Sequence, residues 1–70
     1  MFTVGQQVTG EFAGTPFTGT IYAMRTVPGA TIVYVALDKE ICVNNWVNAV
    51  PVWVTPDGAP FYPHSFVKPA

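Results

Sequence analysis

Hydrophobic and polar positions alternate along most of the chain with a period of two, the mark of half-buried strands. Val8, Gly10 and Phe12 fall on one face, and Thr9 and Glu11 on the other. Ala13-Gly14-Thr15 reads as a turn. Pro16 to Arg25 follows as the longest clean strand, with Phe17, Gly19, Ile21 and Ala23 on one face and Thr18, Thr20, Tyr22 and Met24 on the other. A Thr-Gly-Xaa-apolar pattern occurs twice, at Thr9-Gly10-Glu11-Phe12 and Thr18-Gly19-Thr20-Ile21, as two arms of one hairpin. Gly10 and Gly19 leave the inward face without a side chain, which suits tight bending or close approach of another backbone.

Thr26-Val27-Pro28-Gly29 predicts a type II turn, with Pro28 presetting φ and Gly29 taking positive φ. Ala30 to Leu37 predicts a strand whose run Ile32-Val33-Tyr34-Val35-Ala36-Leu37 is apolar enough to be covered on both faces, by the core and by a partner chain. Asp38-Lys39-Glu40 predicts a polar turn, and Ile41-Cys42-Val43 a short strand with Cys42 as a buried structural thiol. Asn44 to Ala49 has no readable period. Val50-Pro51-Val52-Trp53-Val54 alternates strictly, with the valines inward and Trp53 on the exposed side, and Pro51 marks an edge or a bulge. Thr55-Pro56-Asp57-Gly58 is the strongest turn signal, with positive φ at Gly58. Ala59 to Ala70 reads as a short strand, one tight turn over Pro63 to Phe66, and a last short strand. No segment has helical period. Val8, Phe12, Ile21, Ile32, Val35, Val52 and Val54 form the expected core.

The opening Gly5-Xaa-Xaa-Val8-Xaa-Gly10-Xaa-Phe12, continued by Phe17-Xaa-Gly19-Thr20-Ile21, resembles the first hairpin of SH3-like domains. With the order of elements, the resemblance implies an all-β, partly open SH3-like barrel of about five strands, with one 3₁₀ turn before the last strand, in a single domain over residues 1–70. Phe17-Thr18-Gly19-Thr20 and the later Leu37-Asp38 also resemble small uncharacterised proteins of phages and mobile elements, a likeness that brings no activity. The end, Phe61-Tyr62-Pro63 before one turn and a final strand, is similar to plasmid-borne type II dihydrofolate reductases, whose active strand reads Val-Gln-Ile-Tyr-Pro. Here Pro60 stands where that family has its substrate-contacting Gln, and the family's pore lysine has no matching position.

Composition shifts attention from chemistry to surfaces. Charged residues are 10% of the chain and hydrophobic residues 50%, whereas an ordinary domain carries about 25% charge. A domain this short encloses little, so part of the apolar surface is expected to be exposed and functional. Only Arg25, Lys39 and Lys68 are cationic, and the net charge is −1. That leaves no basic footprint for nucleic acid. No run approaches the roughly 20 apolar residues of a spanning helix, and no signal peptide is visible. A lone cysteine in that context predicts a cytoplasmic protein, in the host if phage-encoded, without membrane partners. One Cys and one His, with Asp38, Asp57, Glu11 and Glu40, make a poor ligand inventory, so neither metal nor cofactor is expected.

His64 is the one histidine, the residue type whose ordinary charge change falls near neutrality. Neighbouring Ser65 and distant Asp57 do not compose a catalytic arrangement, so His64 is read as a turn or surface residue and no catalytic residue is assigned. The aromatics say more. Trp46, Trp53, Tyr22, Tyr34, Phe61, Tyr62 and Phe66 exceed what so small a barrel encloses, and Trp and Tyr dominate interface energetics. Trp53, Trp46, Tyr22, Tyr34 and Tyr62 are the candidate binding residues. The expected function is a non-enzymatic protein-interaction or assembly module that binds a protein or its own copies. The alternatives are a nucleic-acid-binding barrel and a reductase of the pore type.

Overall fold

The computed structural model describes residues 2–70. Five strands, β1 (Gln7–Phe12), β2 (Thr15–Val27), β3 (Ala30–Cys42), β4 (Trp46–Val54) and β5 (Phe66–Pro69), form one antiparallel sheet in the order β4-β3-β2-β1-β5. The sheet curls until β4 and β5 approach each other without pairing, which makes a partly open barrel. No described residue is helical.

The turns explain the meander. Phe12 pairs with Thr15, so the first turn is Ala13-Gly14 alone. Both residues have positive φ, 52° and 84°, the geometry whose twist matches the flanking strands. Val27 pairs with Ala30 around Pro28-Gly29, and Gly29 has φ 81°, as the type II reading requires. Gly58 has φ 90° in a loop closed by bonds from the Thr55 N–H to the Ala59 carbonyl (2.7 Å) and from the Gly58 N–H to the Thr55 carbonyl (2.8 Å).

Inside lie Val8, Phe17, Ile21, Val33, Val35, Ile41, Val50, Val52, Val54 and Val67, with no buried polar side chain among the described residues. Phe12 is half-buried against this cluster. Ile32 is buried but belongs to the opposite face, because it alternates with the inward Val33 and pairs with Trp53.

Two glycines allow the sheet to fold this tightly. A Cβ on Gly10 would sit on the Phe66 carbonyl oxygen, and one on Gly19 on the Ala36 carbonyl oxygen. Both strands thus cross beneath a neighbouring backbone where any side chain would intrude, as their inward placement in the sequence implies.

Two irregularities alter the expected phase. Ile21 pairs with Val35 and Ala23 with Tyr34, so Tyr22 is an unpaired bulge residue. Beyond it Met24 packs against the core rather than facing outward. Asp38-Lys39-Glu40 is not a turn: β3 runs through it to Cys42. The ladder with β4 skips from Ala36↔Ala49 to Ile41↔Val47, so Leu37 to Glu40 oppose Asn48 alone. The extra residues bend the hairpin end until Ile41 and Val47 both meet the core. Cys42, next to Ile41, is therefore turned outward and exposed rather than buried.

The expected 3₁₀ turn is not present. Pro63 and His64 form a two-residue turn closed by a bridge between Tyr62 and Ser65. Phe66 already pairs with Glu11, which leaves no residue free to extend a helical turn. The Gly14 N–H donates to the His64 carbonyl (3.0 Å) and the Ala13 N–H to Ser65 Oγ (3.2 Å), fastening this turn to the first hairpin.

Candidate functional site

Much of the outer face of β2, β3 and β4 is apolar. Cross-strand register builds it in two rows. Arg25, Ile32 and Trp53 form one row, and Ala23, Tyr34 and Pro51 the next. The bulge at Tyr22 throws its ring onto the same face, 6.2 Å between centroids from that of Tyr34. In these rows Arg25 alone is charged.

After the Thr55–Gly58 turn the chain returns along the free edge of β4. Val54 bridges Pro60, and the Phe61 N–H donates to the Trp53 carbonyl (3.2 Å). This lays Phe61 and Tyr62 against the indole, at centroid distances of 6.0 and 6.2 Å, with 5.0 Å between the two rings themselves. Such tilted and edge-on pairs contribute about 0.5–1.5 kcal/mol each beyond area burial. Trp53, expected to stand exposed, is half-buried beside them. The rings that reach solvent are Tyr22 (53% exposed), Tyr62 (49%) and Phe61 (44%).

Of the five candidates, Trp53, Tyr62, Tyr22 and Tyr34 therefore share this face, with Tyr34 linked to Trp53 through the Tyr34↔Pro51 and Ile32↔Trp53 pairs. Trp46 does not join them. It is 70% exposed and pairs with Cys42 at the far end of β4, about 23 Å from Trp53 at a strand rise of roughly 3.3 Å per residue. Phe61 was not among the sequence candidates. The signal for it lay in the turn over Thr55–Gly58, which sends the following residues back along Trp53.

The β4 edge is blunted. Pro51 sits mid-strand without an N–H to offer, and the Trp53 carbonyl already accepts from Phe61. At the opposite border, β5 is only four residues long and ends in Lys68 and Pro69, devices that discourage strand addition.

Thr55, Asp57 and Ser65 are engaged in turns. The Thr55 hydroxyl donates to the Asp57 carboxylate and accepts from the Ala59 N–H (3.0 Å). The Thr55 hydroxyl, followed by Asp57's own backbone N–H, holds the Asp57 carboxyl below its usual value. Ser65 Oγ is occupied by the Ala13 N–H. None of these bonds involves the His64 ring. Among the described residues no group of three His, Cys, Asp or Glu side chains could hold a metal ion, and no helix is long and apolar enough to cross a membrane. A shallow groove of about 420 Å³ opens between β2 and the bend of β3, walled by Pro16, Thr18 and Asp38 to Glu40 with Phe17 and Ile41 as its floor.

Comparison with protein-family models, curated proteins and solved structures finds no match to this chain.

Proposed function

We propose that this protein is a non-enzymatic interaction and assembly module of SH3-like type, which acts by binding protein, including its own copies, through the outer face of β2–β4. The observation that carries the reading is the continuity of that face. Tyr22, Tyr34, Ile32, Pro51, Trp53, Phe61 and Tyr62 adjoin one another, with Arg25 beside Ile32 as the one charge in these rows. Exposed apolar patches of this kind mark contact sites. The near-zero net charge removes the long-range repulsion that keeps identical molecules apart. The strand order β4-β3-β2-β1-β5 supports the SH3-like likeness.

The test is sedimentation velocity of the wild type beside a Tyr22→Ser/Tyr62→Ser double variant. Both rings are half-exposed, so their removal leaves the core intact, whereas truncating Trp53 would disturb packing. The wild type is expected to associate at high micromolar concentration and the double variant to remain monomeric with an unchanged circular dichroism spectrum. A wild type that stays monomeric throughout, or a double variant that associates equally, refutes the reading.

A further inference from the structure

We infer that the occupant of the outer face is a second copy of this chain, packed sheet-face to sheet-face with its strands aligned, and that the sheet edges take no part. The inference rests on the self-associating reading above and specifies its geometry.

Edge pairing is the alternative route to a β dimer, and the chain obstructs it on both borders. Over β4, an added strand would meet Pro51, which has no N–H, and then the backbone of Phe61, which already occupies Trp53. Over β5, it would meet four residues ending in Lys68 and Pro69. The face offers a continuous apolar surface in their place, and Ile32 lies there already withdrawn from water at 6% exposure.

The layout of the face is self-complementary. β3 runs down its middle, with Arg25 on one flank and Trp53 on the other in the same row. A two-fold axis parallel to β3 lays β2 of each copy over β4 of the other. Arg25 of one copy then stands over the Trp53–Tyr62 rings of the second copy, and the reciprocal contact forms by symmetry. That is the isologous form of most dimers. It gives the face's single cation an aromatic partner without calling for an acidic residue, which these rows lack. Aligned sheets pack at about 10 Å, a spacing that side chains of this size fill. The three half-exposed rings offer roughly 300 Å², against about 800 Å² per partner in a standard interface. Bordering residues complete the contact, and the expected affinity is micromolar rather than nanomolar.

The experiment mixes isotope-labelled and unlabelled full-length protein and records filtered cross-peaks between copies, together with the dimer Kd of Arg25→Gln. The expected result is cross-peaks joining Arg25 of one copy to Trp53 or Tyr62 of the other, and a Kd raised about tenfold, as for loss of a central contact. Cross-peaks along Trp46 to Ala49 instead, or a Kd unchanged in Arg25→Gln, overturn the face-to-face geometry while leaving self-association in place. A protein with no dimer at any concentration overturns both.

Discussion

Replacing Gly10 by alanine adds one methyl group where the structure has no room for it. The new Cβ would lie 2.0 Å from the Phe66 carbonyl oxygen and 3.0 Å from Val67 Cα. These are backbone atoms, so no rotamer change relieves the clash. Either β5 shifts off β1 or the strand separates, with loss of pairing from Val8 to Glu11 and exposure of Val67. Overpacking ordinarily costs about 1–3 kcal/mol, and a backbone obstacle puts this case at the upper end, about 3 kcal/mol. A 70-residue domain has roughly 3.5–10 kcal/mol of stability in total, so the variant should be near unfolding. Gly5→Ala provides the contrast. Nothing lies within 4 Å of a Cβ there, but φ is +93°, so its cost is conformational and about 1 kcal/mol. Urea titrations followed by tryptophan fluorescence, with slopes compared, measure both. If Gly10→Ala costs no more than Gly5→Ala, the close approach of β5 over β1 is wrong.

Ala13 holds φ 52° in a turn that favours Asn-Gly. Ala13→Asn is therefore expected to stabilise the fold by about 0.5–1 kcal/mol, since the bond to Ser65 is made by the backbone N–H. A lower denaturation midpoint would refute this. Asp57 has its carboxyl held below the ordinary value of 3.8, chiefly by Thr55, so its contribution to stability is present above that value and is lost as pH falls through the lowered one. Stability measured from neutral to strongly acidic pH should decline less in Asp57→Asn than in the wild type, and parallel curves would show that the loop does not need the charge.

The sequence was most legible where alternation met a clear turn. Val50, Val52 and Val54 face inward as the period demands, and the turns at Pro28-Gly29 and Gly58 have the predicted positive φ. It was least legible where the ladder slips. A bulge leaves no mark in the hydrophobic pattern, so alternation puts Met24 on the wrong face once Tyr22 drops out of register. Asp38-Lys39-Glu40 has turn composition, yet charged residues are equally comfortable in a strand whose opposing ladder is absent. The apolar run predicts the burial of Ile32 but not its face, because apolar residues on both sides carry no direction. At the candidate site, alternation correctly sent Trp53 to the outer face. Its half-burial depends on Phe61 and Tyr62, brought back by the turn over Thr55–Gly58, a contact that periodicity within one strand does not encode.

The pairing of β5 with β1 has a consequence for the order in which the chain folds. β1 to β4 are joined by short connections, while the closing pair Glu11↔Phe66 spans most of the sequence. Bringing those two residues together in an unstructured chain costs about 3.5 kcal/mol of loop entropy. Once the four-strand meander exists, the open loop runs only from Val54 to Phe66, and the cost falls to about 2.2 kcal/mol. The difference is close to tenfold in rate, which favours a nucleus in β2–β4 with the last strand arriving late. Val67→Ala should accordingly speed unfolding and leave the folding rate nearly unchanged, while Val33→Ala slows folding; equal effects on the two folding rates would deny that sequence of events. The border between β1 and β5 is thus also a seam in time, the place where the chain finishes folding and where it first comes apart.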